Sequence, residues 1–218
     1  MNADSRPFVN RVVIASSNPG KLRELSALLG PLGIEAMPQS DFAVTEAEEP
    51  HFTFLENSLA KARHAANMTG LPALADDSGL CVPALFGEPG VHSAYYAGKE
   101  GGPEERDRRN NAKLVEQLRA AGDRSAFYYC VLVLVSNADD PTPLVADGTW
   151  HGEIVLEPRG ANGFGYDPYF LAKGGALTAA ELPAAKKNRA SHRGQALAAL
   201  ASKLSAAPWA PRFSGPRA

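Results

Sequence analysis

Apolar and polar positions along the chain alternate between short β-branched runs and longer amphipathic stretches. Arg11-Val12-Val13-Ile14-Ala15 predicts a buried strand. Ser16 to Lys21 then breaks the pattern, and a helix follows with Leu22, Leu25, Leu28 and Leu29 on one face and Gly30-Pro31 as its stop. Thr53-x-x-Glu56 forms a capping box opening a second helix. It runs to about Asn67 and stops at Gly70, with Phe54, Leu55, Leu59, Ala62, Ala65 and Ala66 as a broad buried face. Ala73 to Ala75 predicts the end of a buried strand, with Asp76-Asp77 just beyond it. Val82 to Phe86 predicts a single helical turn, and Glu104 to Ala121 a charged helix with Leu114, Val115 and Leu118 as its core stripe. The charges from Glu104 to Arg109 alternate in sign and read as a solvated face. Ala126 to Val135 is the strongest strand in the chain and is expected to be central. Leu144 to Trp150 and Glu153 to Glu157 are expected to be a strand pair joined at His151-Gly152. Lys186 to Arg193 opens a last helix, capped by Ser191 and apolar at Ala196, Leu197, Leu200 and Leu204. There is no internal repeat and no linker, so one domain over 11–207 is expected, with flexible extensions at 1–10 and 208–218.

Composition narrows the class. The chain is 44% hydrophobic and 21% charged, the balance of a soluble globular protein. A formal net charge of -2 gives no global basic field for nucleic acid, which excludes a charge-driven nucleic-acid binder and leaves room for a local cationic pocket. Cys81 and Cys130 lie far apart without partners at metal-ligand spacing and read as reduced core residues. Met1 to Asn10 lacks an apolar stretch, and Ala126 to Val135 is too short to span a bilayer, so a cytoplasmic protein without a membrane partner is expected.

Five stretches carry candidate chemistry. Asp76 and Asp77 are adjacent carboxylates whose repulsion is relieved by a cation, which points to a hard divalent metal; an Asp-Ser-Gly turn is the alternative. Ser16-Ser17-Asn18-Pro19-Gly20-Lys21 joins strand to helix, combining a helix N-terminus with a lysine, a corner suited to phosphate. It lacks the glycine spacing of a Walker loop, and a plain connecting loop would use the same residues. Gly163-Phe164-Gly165-Tyr166-Asp167 offers an aromatic ring on glycine-flanked backbone, to stack on a base or to fill a bend in the core. Lys187, His192 and Arg193 gather positive charge near a helix start, the unfavourable end for cations, as happens where an anion offsets it. Glu48 and Glu49 lie in an acidic loop that either faces solvent or adds an oxygen ligand beside Asp77.

Taken together, six ordered motifs are specific. They are Ser17-Asn18-x-x-Lys21 with Glu24, Phe54-x-Glu56-Asn57, Ala75-Asp76-Asp77-Ser78-Gly79-Leu80, Pro89-Gly90-Val91-x-Ser93, Gly163 to Asp167, and Ser191-His192-Arg193. Over roughly residues 11 to 204 the chain resembles the inosine triphosphate pyrophosphatase family, house-cleaning hydrolases of dITP, ITP and XTP. The resemblance implies an α/β fold, an elongated mixed central β-sheet flanked by helices in two lobes with the active-site cleft between them. It also implies Mg²⁺, a homodimer, and cleavage of a nucleoside triphosphate to monophosphate and pyrophosphate. Carried over by position, the triphosphate loop falls on Ser16, Ser17, Asn18, Pro19, Gly20 and Lys21, and the metal carboxylates on Asp77 and either Glu48 or Glu49. The proton acceptor falls on Asp77. Further substrate contacts fall on Ser78, Phe164, Gly165, Tyr166, Asp167, Lys187, His192 and Arg193. Two departures stand out: Tyr95 replaces the usual Arg after Ser93-Ala94, and Pro50-His51 replaces Thr-Gly after the acidic pair.

The mechanism expected from these positions has Asp77 orienting or deprotonating water, with Asp76 tuning it. Lys21 and Lys187 grip the polyphosphate, and Phe164 stacks on the ring. Arg193 or His192 donates to the 6-keto oxygen of hypoxanthine or xanthine. A pyrophosphatase of other modified nucleotides and a non-catalytic nucleotide-binding module are the rival readings.

Overall fold

The computed structural model describes residues 11–206, so the two expected extensions, 1–10 and 208–218, lie outside the described residues. Six strands form one sheet: β1 (Arg11–Ile14), β2 (Glu35–Pro38), β3 (Ala73–Cys81), β4 (Ser125–Val135), β5 (Leu144–Ile154) and β6 (Phe170–Ala172), in the order β2-β1-β3-β4-β5-β6. The sheet is mixed. β1 runs parallel to β2 and β3, whereas β5 and β6 are antiparallel. The α-helices are α1 (Pro19–Leu29), α2 (Phe54–Thr69), α3 (Pro103–Leu118), α4 (Ala184–Ala190) and α5 (His192–Ala206). None is long and apolar enough to cross a membrane.

The chain divides into two compact units. The first comprises residues up to Asp77, Val131–Asp147 and the chain from Ala196; the second comprises Ser78–Cys130 and Gly148–Gln195. In the first, Val12, Val13, Ile14, Leu25, Leu29, Leu74 and Val133 are buried, and β1 pairs with β3 through Val13–Ala73 and Ile14–Leu74. Helix α2 is held by its cap: Thr53 Oγ1 accepts from the Glu56 amide (3.2 Å) and its hydroxyl donates to Glu56 Oε2 (2.6 Å), while Gly70, at φ 68°, ends the helix. The second unit packs Leu80, Leu114, Leu118, Ile154 and an aromatic group of Tyr128, Trp150 and Phe170. The Tyr128 and Trp150 rings lie 4.7 and 5.1 Å from Phe170 at tilted angles, the edge-favouring geometry of aromatic pairs.

Four expectations need correction. First, the strand at Ala73 does not end before the carboxylates; β3 runs on to Cys81, with Asp76 and Asp77 in its interior. Successive side chains of a strand point to opposite faces, so the two carboxylates are parted by the pleat itself. Second, the expected pair Leu144–Trp150 and Glu153–Glu157 is a single strand, β5, through His151-Gly152, and its antiparallel neighbour is β6. Gly152 serves close approach rather than a turn, since a Cβ there would lie 2.3 Å from the Leu171 carbonyl oxygen. Third, Lys187 does not belong to a helix start. It lies in the last turn of α4, the end that favours cations, and Ser191 separates α4 from α5. Fourth, the residues from Glu104 to Arg109 are not uniformly solvated, because Asp107 is half-buried and hydrogen-bonded.

Candidate active site

In the first unit a cluster of carboxylates and lysines is assembled by β3, α1, α2 and the loop before α2. Asp76 and Asp77 are 1% and 4% exposed, so each charge needs a partner. Lys21, in the first turn of α1, places Nζ 2.5 Å from Asp76 Oδ1. Lys61, on the buried face of α2, places Nζ 2.6 Å from Glu49 Oε1 and 3.5 Å from Asp77 Oδ1. Burial pulls the Lys61 ammonium down, but Asp77 and Glu49 outweigh it and hold the proton more tightly than on a free lysine. For Asp77, burial raises the carboxyl above the usual aspartate range and Glu49 and Asp76 add to it, against the opposing pull of Lys61 and Lys21.

The loop carrying Glu49 is tied to α2 by three side chains of that helix. Asn57 accepts from the His51 amide (3.0 Å) and donates to the His51 carbonyl (3.2 Å), His64 Nε2 meets the Thr45 carbonyl oxygen (2.9 Å), and Lys61 holds Glu49. Glu48 is exposed. Ser58 Oγ, on the same helix, donates to the Ala75 carbonyl (3.1 Å), which fixes α2 against β3 next to the carboxylates.

The loop Ser16 to Lys21 is shaped by Asn18. Its Oδ1 caps α1 by accepting from the amides of Gly20 (2.8 Å) and Lys21 (3.2 Å), so those N–H groups are shared with the asparagine rather than left open for an anion. Ser16 Oγ accepts from the Asn18 amide (3.2 Å) and Ser17 Oγ from Gln39 Nε2 (3.1 Å), while Pro19 is the first residue of α1.

The second unit holds a separate cluster of cations and aromatic rings. Asp167 Oδ2 accepts from Lys187 Nζ (2.7 Å) and from the Phe164 amide (2.9 Å), and Oδ1 lies 3.4 Å from the Tyr128 hydroxyl. Lys187 Nζ lies 5.1 Å from the Phe164 ring centroid and the Arg193 guanidinium carbon 6.0 Å from it. Arg193, 2% exposed, also donates to Ser78 Oγ at 3.1 Å. His192 stacks on Tyr128, rings 4.7 Å apart and 11° from parallel. Gly163 is required by its neighbours. At φ 81°, any Cβ would lie 2.0 Å from Asp167 Oδ2. Tyr166 is buried, its hydroxyl donating to the Ser93 carbonyl (2.8 Å) and its titration pushed far up by burial. At the position where the resemblance expects an arginine, the Tyr95 ring has Lys99 Nζ and the Arg106 guanidinium each 5.4 Å from its centroid.

Lys61 and Asn57, together with Asp107 and Asn111, which hydrogen-bond the Gly165 backbone, take part in these arrangements and are not singled out from the sequence as site residues. Their signal was there: polar side chains at three- and four-residue spacing inside an otherwise buried helical stripe. Asn57, Ser58 and Lys61 interrupt the buried face of α2 in this way, and Asn110 and Asn111 continue the Leu114 stripe of α3.

The donors of the first cluster suit a hard cation. Asp77 and Glu49 converge on the same Nζ, so two carboxylates reach one locus. Among the described residues no group of three or more His, Cys, Asp or Glu is gathered closely enough to hold a metal. Two carboxylates are what Mg²⁺ commonly takes from a protein, keeping waters and substrate phosphates as its other ligands.

Residues 12–203 match the Ham1 family model. The chain belongs to the Ham1 family. It is 62% identical to the dITP/XTP pyrophosphatase of Burkholderia pseudomallei over 195 residues, 89% of this chain and 93% of that protein. Identity to the dITP/XTP pyrophosphatase of Bordetella pertussis is also 62%, over 92% of this chain and 93% of that one. A solved HAM1 protein from Coxiella burnetii superposes with a TM-score of 0.82 at 51% identity, covering 90% of this chain and 99% of that one. The α/β fold with its mixed six-stranded sheet is thus the Ham1 fold.

Proposed function

We propose that this Ham1 family member is a dITP/XTP pyrophosphatase that hydrolyses hypoxanthine and xanthine nucleoside triphosphates (dITP, ITP, XTP and dXTP) to monophosphate and pyrophosphate. The single observation carrying the reading is the convergence of a buried Asp77 and of Glu49 on Lys61, in a chain 62% identical to named dITP/XTP pyrophosphatases. Asp77 and Glu49 would hold Mg²⁺, which when bound neutralises charge developing at the phosphates. Asp77 orients the attacking water and accepts its proton, and Asp76 holds Lys21 through their ion pair before substrate arrives. Lys21 and Lys187 bind phosphate oxygens, in exchange for the carboxylates they now meet.

Base selection falls to the second cluster. Phe164 stacks on the purine, and Arg193 or His192 donates to the 6-keto oxygen, which adenine replaces with an amine. A buried donor left unpaired by adenine makes the discrimination steep. The resemblance further supports a homodimer.

The test is hydrolysis of ITP, dITP, XTP, ATP and GTP with and without Mg²⁺, with pyrophosphate as the readout. Strong preference for ITP, dITP and XTP, lost without Mg²⁺, is expected. In the same assay Glu49→Gln should lower turnover at least about tenfold at limiting Mg²⁺, and Glu48→Gln should change it little. Turnover of all five substrates at similar rates would refute the selectivity, and equal behaviour of the two Glu variants would refute the ligand assignment.

A further inference from the structure

The charged first half of α3 has a task beyond meeting solvent. Asp107 Oδ2 accepts from the Gly165 amide at 2.7 Å, and Asn111 Nδ2 donates to the Gly165 carbonyl at 2.9 Å. These two side chains, four residues apart on one helix face, grip both backbone polar groups of a single residue. Gly165 is at φ 62° and Gly163 at φ 81°, so Phe164 is borne between two left-handed glycines whose own preference would leave its backbone free. Burial raises the Asp107 carboxyl above its usual range, against the pull of the Gly165 amide and Arg106, which marks a carboxylate withdrawn from water to make this contact. Asn111 Nδ2 also donates to the Asp107 carbonyl (2.8 Å), tying the two grips together. The same helix holds the neighbouring segment: Asn110 donates to the Ser93 and Ala94 carbonyls (both 3.2 Å), and the Ser93 carbonyl in turn accepts from Tyr166.

We propose that Asp107 and Asn111 are positioning residues for base recognition, fixing Gly165 so that the Phe164 ring is held ready for the purine. This rests on the reading of Phe164 as the base-stacking residue. Neither side chain touches the nucleotide itself. Each acts by removing freedom from the loop before the ligand arrives, so its loss weakens base binding without weakening phosphate binding.

Calorimetric titration with inosine monophosphate and, separately, with inorganic tripolyphosphate, both with Mg²⁺, tests the proposal. Asp107→Leu is expected to weaken inosine monophosphate about three- to tenfold and leave tripolyphosphate unchanged. Asp107→Asn, which keeps an acceptor for the Gly165 amide, should recover most of the loss. Asn111→Leu, the variant to use if Asp107→Leu does not fold, should show the same one-sided weakening. Equal loss for both ligands, or full inosine monophosphate affinity in both Leu variants, would overturn the proposal. Phe164→Ala separates the two levels. If it weakens inosine monophosphate while the α3 variants do not, only the positioning role fails; if it changes nothing, the stacking assignment fails and the proposal with it.

Discussion

Asp77→Asn is expected to lower kcat for ITP by about 10²- to 10⁴-fold while leaving the protein folded, the range for removing a proton acceptor that also sets electrostatics. The argument combines chemistry with burial. Asparagine keeps the shape of the side chain and an oxygen towards Lys61, but it takes no proton and offers a far weaker oxygen to a hard cation. Stability should not follow activity down. Burial raises the Asp77 pKa above its unfolded value, so the native state binds that proton more readily than the unfolded chain does. Ionisation therefore costs stability, a cost absent below the ordinary aspartate range and complete once pH has risen past the raised native value. Asparagine removes the cost, and Lys61 keeps Glu49 at 2.6 Å. Thermal unfolding near neutral pH without metal should accordingly give a Tm equal to or above that of the unsubstituted protein. Retained turnover in this variant would remove Asp77 from the chemistry, whereas lost turnover with a collapsed Tm would make its role one of folding.

Asp167→Ala should act in the opposite sense and mainly on stability. Asp167 is 4% exposed and its partner Lys187 is 7% exposed, so truncating the carboxylate takes the 2.7 Å counter-charge from an ammonium in a poorly solvated place. The Phe164 amide loses its acceptor as well. Breaking a buried pair from one side costs about 3–5 kcal/mol, whereas a fully apolar replacement of both partners is often near neutral. For a chain of this size that corresponds to a Tm lowered by about 6–20 °C, read by calorimetry. Adding Lys187→Met to Asp167→Ala should recover part of the loss, because the stranded charge is then gone. A drop under about 2 °C for Asp167→Ala would mean that water reaches Lys187 and that the pair is not the fastening inferred here. Activity should fall too, since the same carboxylate anchors the loop that carries Phe164.

Local sequence determined much of this protein. The capping box at Thr53, the run from Ala126 to Val135 and the glycine-flanked Phe164 are statements about nearest neighbours, and periodicity and cap chemistry are local properties that a chain displays before it folds. The ordered motifs likewise marked Lys21, Asp77 and Arg193, because those residue types in that order are rare by chance.

Other features were decided only by tertiary structure. Nothing local told which of Glu48 and Glu49 meets Lys61; the loop's ties to α2 through Asn57 and His64 present Glu49 to it. Sequence places Asp76 and Asp77 just beyond a strand end, yet they stand inside β3, where lysines from two different helices reach them. Gly152 looked like a hairpin and proved to be where β6 approaches β5. In each case the side chain's meaning lay in a partner many residues away, and the energy that chose the outcome was the cost of burying a charge or a backbone group unmet. That cost does not exist until the chain has closed around it.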